Sequence, residues 1–209
     1  KLTLMKTLSK LILFILFSTS FIACEKSNDG PSNENSDPGK GLVIGNGDAV
    51  DNTLHMAFKT PDWERKIDCT HLDLDPIGLN DSTSYVSATS ASTNETFYFS
   101  FPRDSSAMVR SSNIKKYGIV RVGANIKPFE FSQTLPIIAN STTKLVSLAG
   151  SSSDSYNEVL EIKYIGVKGN YAQFQIKCRY SMSMGEILNE SNKRLVTGTF
   201  HFKVKTKRI

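Results

Sequence analysis

From Leu160 to Val204 apolar and polar side chains alternate with a period of two, a pattern that a half-buried β-strand can sort into two faces and a helix cannot. Leu160, Ile162 and Tyr164 alternate with Glu161 and Lys163. After Lys168-Gly169-Asn170, Ala172, Phe174, Ile176, Cys178 and Tyr180 alternate with Gln173, Gln175, Lys177 and Arg179. The two runs predict an antiparallel hairpin closed by a tight glycine turn. A last strand repeats the logic, with Val196, Phe200, Phe202 and Val204 inward and Thr197, Thr199, His201, Lys203 and Lys205 outward. One face is then core and the other wet.

The preceding residues have the same texture. Leu54, Met56 and Phe58 share one face of a strand; Phe97, Phe99 and Phe101 share a face of another, with Tyr98 and Ser100 turned away. Clusters of Ser, Thr, Asn, Asp, Gly and Pro punctuate short runs, and no long stretch has helical apolar spacing. Residues 42–209 therefore predict a single all-β antiparallel domain of about seven to ten strands, first of all a β-sandwich. A lipocalin-like barrel gives the same alternation. It would carry a small apolar ligand in a hollow lined by Phe97, Phe99, Phe174 and Phe200.

Ahead of this domain, residues 1–23 have the parts of a secretory signal: Lys1, Lys6 and Lys10, the apolar run Leu11–Phe17, and small Ala23. The apolar run is shorter than the roughly 20 residues that span a bilayer. Phe21-Ile22-Ala23-Cys24 resembles the lipobox of bacterial lipoproteins, which implies cleavage before Cys24 and fatty acylation of its thiol. Residues 24–41 continue as a polar stretch, EKSNDGPSNENSDPGKG after the cysteine. Such a composition cannot offset the entropy of ordering and predicts a flexible tether with a reach of roughly 20–25 Å. The layout, with the closing Leu195-Val196-Thr197-Gly198-Thr199-Phe200-His201-Phe202, resembles small β-rich lipoproteins of Bacteroidota. The resemblance implies a cell-envelope location on the outer membrane, in its periplasmic or its surface leaflet. It carries over no functional residues.

The formal net charge of +5 includes the three lysines of the leader, so the mature chain is near balance and nucleic-acid binding gains no support. With Cys24 acylated, Cys69 and Cys178 remain. In an oxidising envelope an even pair allows a disulfide; the alternative is two separate buried thiols. His71, Asp73 and Asp75 alternate along His71-Leu72-Asp73-Leu74-Asp75 and would share one side of an extended segment, the best group of metal ligands in the chain. The glycine and glutamate of a calcium loop are missing, so a wet strand face is the favoured reading and no metal or other cofactor is expected. His55 alternates with core positions and His201 sits on a polar face, neither at catalytic spacing. Trp63 is read as buried with a satisfied N–H rather than as a sugar-stacking platform. No nucleophile elbow, phosphate loop or Cys-His pair is present. The expectation is a non-enzymatic binding or structural module, held to a membrane by its lipid and facing a glycan or protein partner.

Overall fold

Alternation becomes strands in the computed structural model, which describes residues 41–91 and 93–208. In chain order they are β1 (Val43–Gly45), β2 (His55–Lys59), β3 (Glu64–Asp68), β4 (Ile77–Gly78), β5 (Thr83–Thr89) and β6 (Thr96–Pro102). One helical turn, α1 (Ser105–Met108), and a 3-10 turn (Ser111–Asn113) come next. Then follow β7 (Lys116–Tyr117), β8 (Phe131–Pro136), β9 (Lys144–Ser147), β10 (Tyr156–Lys168), β11 (Tyr171–Glu186) and β12 (Asn189–Lys207).

Every strand pairing is antiparallel. The order β3-β2-β12-β11-β10 makes one layer, with β1 and β7 along the outer edge of β10. The order β9-β8-β6-β5-β4 makes the second, and β9 joins the two by pairing with the last residues of β11, Met184–Glu186. The path ends at β3 and β4 and does not close into a barrel. It is a sandwich-like fold, in which the sheet doubles back so that its two inner faces meet.

Aromatic rings fill that interface. Phe97 on β6 stacks on Phe202 of β12 with centroids 4.6 Å apart, and Phe200 lies 5.0 Å from both Phe99 and Phe131. Phe97, Phe99, Phe174 and Phe200 are all buried. Burying each such side chain contributes about 1.5–3 kcal/mol. The four phenylalanines of the carrier reading thus belong to a packed core.

The β10–β11 hairpin closes as expected, with Lys168 opposite Tyr171 and Gly169 at φ +57°. Within β10 the expected inward set shifts. A bulge between Val159 and Glu161 puts Val159 opposite Cys178, while Ile162 and Tyr164 keep their places opposite Ile176 and Phe174. Leu160 is the extra residue that a bulge leaves out of the ladder.

The outer face of the first layer is not uniformly wet. His55, Lys177, His201 and Lys205 are all buried, because residues 46–53 cross over three of them and residues 71–75 border the fourth.

The disulfide does not form: Cys69 and Cys178 are both free and buried. Cys178 on β11 is opposite Phe200 on β12, Phe200 is opposite Met56 on β2, and Met56 is opposite Ile67 on β3, two residues before Cys69. Three strand spacings amount to about 14 Å, twice the reach of a disulfide.

Candidate functional site

A concavity of about 600 Å³ lies where β6 ends and the chain winds through α1 into β7. Its floor is Tyr117, whose ring packs 4.9 Å from that of Phe129. Arg110, Lys115 and Lys127 stand around it.

Local hydrogen bonds hold each wall. Asn113 Nδ2 donates to the carbonyls of Ala107 (2.8 Å) and Met108 (2.9 Å), closing the last turn of α1, and the Tyr117 hydroxyl donates to the Asn113 carbonyl at 3.0 Å. Met108 anchors this segment in the core. On the opposite wall Phe129 adopts φ +64°, a left-handed conformation that costs a non-glycine residue of order 1–3 kcal/mol unless its surroundings enforce it. They do. The Phe129 N–H donates to the Ser100 carbonyl (2.8 Å) and its carbonyl accepts from Asn157 Nδ2 (3.0 Å). Buried Ser100 Oγ donates to the Lys127 carbonyl at 2.6 Å, and Glu130 Oε2 accepts from the N–H groups of Ile126 and Lys127 at 2.8 and 3.0 Å. The rim lysine therefore stands on a fixed turn.

The electrostatics are one-sided. Among the described residues no carboxylate lies within ion-pair distance of Arg110, Lys115 or Lys127. Lys115 Nζ sits 5.3 Å from the centre of the Tyr117 ring. Burial pushes the Tyr117 phenol up to about 12, so it remains a hydrogen-bond donor at neutral pH.

A second polar group is covered rather than open. Glu161, Lys177, His201, His55 and Asp68 lie in register across β10, β11, β12, β2 and β3. Over them run residues 46–53, a strap whose Val50 is buried. Lys177 Nζ donates to Asn52 Oδ1 at 2.6 Å and lies 3.8 Å from Glu161 Oε1. His55 Nδ1 is 2.7 Å from the Thr53 carbonyl, and its Nε2 is 3.0 Å from Thr199 Oγ1. Burial, and then the charge of Lys177, hold the His201 pKa below that of a free imidazole. Lys177, His201 and His55 are buried beneath the strap, while Asp68 at the end of the row is exposed.

His71, Asp73 and Asp75 do alternate with half-buried Leu72 and Leu74, but lysines take the carboxylates. Lys205 Nζ is 2.8 Å from both Asp73 and Asp75, and Lys168 Nζ is 2.9 Å from Asp73. These ammonium groups hold Asp73 down to about 2. Among the described residues no cluster has the composition to hold a metal ion. Trp63 packs edge-on to Phe58 at 4.8 Å, but its buried indole N–H lacks the expected partner. Cys24, with the leader 1–23 and all but the last residue of the tether, lies outside the described residues.

The cleft was not foreseen. Most of its residues are scattered singly between positions 102 and 129, with Ser82 and Ser151 from outside that stretch, and they meet only through the pairing of β7 with β10 and the packing of Tyr117 on Phe129. The one local signal is the density of basic residues from Arg110 to Lys127, broken by no acidic side chain. In comparisons with known proteins, no family model, no curated protein and no solved structure matches this chain.

Proposed function

We propose that this chain is a lipid-anchored protein of the cell envelope, held to the outer membrane through acylated Cys24. Its β domain is a non-enzymatic binding module that presents the Tyr117–Phe129 cleft to a glycan or protein partner. The observation that carries this reading is the preformed cleft. Its walls are set by Ser100, Asn113, Glu130 and Asn157 in advance of any ligand, and a preorganised site loses less entropy on binding. The close stacking of Phe97, Phe99 and Phe200 with their neighbours argues against carriage of a ligand between the layers.

Anchor and tether have a physical role in this scheme. A module confined within a few nanometres of a membrane meets surface-bound partners at a high effective concentration, so a modest intrinsic affinity suffices. The test is the intact mass of protein purified from membranes, compared with Cys24→Ala. A mass for residues 24–209 plus acyl chains, absent from the variant, is the expected result. An unacylated soluble product would overturn the anchor and leave the cleft to be judged separately.

A further inference from the structure

We infer that the cleft beside Tyr117 takes an anionic saccharide, a sugar chain bearing uronate, sulfate or phosphate groups. The inference rests on the reading of this domain as a binding module and adds the class of ligand.

Charge is the first argument. Some cations of the domain are matched, Lys66 with Asp51, Arg179 with Glu158, Lys205 with Asp73 and Asp75, and Arg121 with Glu190. Others outside the cleft, such as Lys163, Lys193 and Lys203, make no ion pair among the described residues. What sets the cleft apart is that its cations share one concavity. Arg110, Lys115 and Lys127 have no such partner among the described residues, and all three line one concavity. The acidic residues nearest them in the chain are committed elsewhere or remain apart. Glu130 turns its Oε2 to backbone N–H groups, and Asp104 makes no ion pair among the described residues. A concavity lined by one sign of charge focuses its field and raises the local concentration of anions.

Shape and lining narrow the anion. A volume of about 600 Å³ exceeds the needs of a single phosphate or carboxylate and lies within the range of roughly 300–1,000 Å³ typical of small-molecule sites. Between the cations the lining combines apolar and hydroxyl-bearing side chains. The ring of Tyr117, backed by Phe129, lies with Pro102 and Pro128 where the C–H face of a sugar ring can stack. Ser112 and Ser151 add hydroxyl groups beside this floor. A saccharide offers both surfaces at once, apolar ring faces and peripheral hydroxyls, and its acidic substituents supply the charge. The backbones that carry Lys127 and Lys115 are both held, the first by Ser100 Oγ on the Lys127 carbonyl and the second by the Val159 N–H on the Lys115 carbonyl at 3.0 Å, so binding has to order only their exposed side chains.

The test uses the mature chain on a panel of immobilised oligosaccharides bearing uronate, sulfate or phosphate, each beside its neutral counterpart, at low and at physiological salt. Wild type, Lys127→Glu and Lys127→Arg are compared, with far-UV circular dichroism as the check on folding. The expected result is binding to at least one anionic member and not to its neutral counterpart, weakened by salt and about tenfold by Lys127→Glu. Lys127→Arg should retain it. Equal binding of the neutral counterparts would overturn the anionic inference while leaving the binding module intact. Full competition by inorganic phosphate at the same concentration of charge would overturn the saccharide. Anionic binding indifferent to Lys127→Glu would place the site elsewhere, and no binding by any member would overturn the inference outright. If, in that last case, a protein partner is then captured whose footprint covers Tyr117, the binding-module reading survives; a cleft that protects nothing takes that reading down as well.

Discussion

Gly198 is the residue at which the sheet has least room. A Cβ there would lie 2.2 Å from the Ala57 carbonyl oxygen on the neighbouring strand and 2.5 Å from the Tyr180 ring. Tyr180 cannot step aside cheaply, since its hydroxyl donates to Gln133 Oε1 at 3.0 Å and the ring lies in the core. Gly198→Ala should therefore lose about 1–3 kcal/mol, read as a lower urea midpoint with an unchanged slope; an unaltered midpoint would mean that β2 and β12 slide apart freely. The cysteines give a second prediction at this scale. Burial pushes Cys69 up to about 11 and holds Cys178 well above the ordinary thiol range, and the thiolate is the reactive form. Neither thiol should react with Ellman's reagent in the native protein and both should react in denaturant, with no change of mass on reduction. A 2 Da shift would restore the bond that the strand order forbids.

The strap and the row beneath it show how an element can be legible on one side only. Alternation correctly assigned Phe200 and Phe202 to one face of β12 and His201 to the other, because period two is a local property of the backbone. It carried no information on what covers the outer face, since residues 46–53 reach His201 from about 150 positions away in the chain. The bulge at Val159–Glu161 escaped for a related reason: the extra residue is revealed only by the pairing with Cys178 and Lys177. Covering His201 makes the domain pH-sensitive. The groups facing it are Lys177 from β11, His55 from β2 and the strap backbone at Asp51 and Thr53, with Glu161 on the far side of Lys177. Its folded pKa is depressed, so the unfolded chain takes up a proton first as pH falls through the ordinary imidazole range, near 6.5. Stability from this site is thus present above that range and lost below it, down to the depressed folded value. The melting temperature should fall between pH 7 and pH 5, and more steeply in wild type than in His201→Gln. Parallel curves would show that His201 titrates alike in the folded and the unfolded chain.

At the scale of the whole molecule, the two layers are one hydrogen-bonded sheet that turns a corner at β9 and β11 and does not close into a barrel. The layers meet elsewhere through packed rings and through a bridge in which the Lys207 N–H donates to the Arg103 carbonyl at 2.8 Å. That topology explains the uneven legibility of the chain. Strands and their inner faces could be read locally. The choice between sandwich and barrel, and the cleft, depended on which distant strands meet, as where Tyr117 on β7 comes opposite Asn157 on β10 and beside Phe129. The ring packing also makes a prediction. Phe200 on β12 touches Phe99 and Phe131 of the opposite layer as well as Phe202 and Tyr180 of its own. Removing its ring opens a cavity shared by both layers, and Phe200→Ala should cost about 3–5 kcal/mol. Because neither layer then has a complete apolar face to bury alone, they should still unfold together. Trp63, the single tryptophan, packs on Phe58 of β2 and reports on the first layer; far-UV circular dichroism reports on every strand. In wild type and in Phe200→Ala the two signals should trace the same urea transition, displaced to lower urea in the variant. If fluorescence changed ahead of the dichroism, the β9–β11 corner would be a hinge between two separately stable layers, and the ring interface would not be what holds them together.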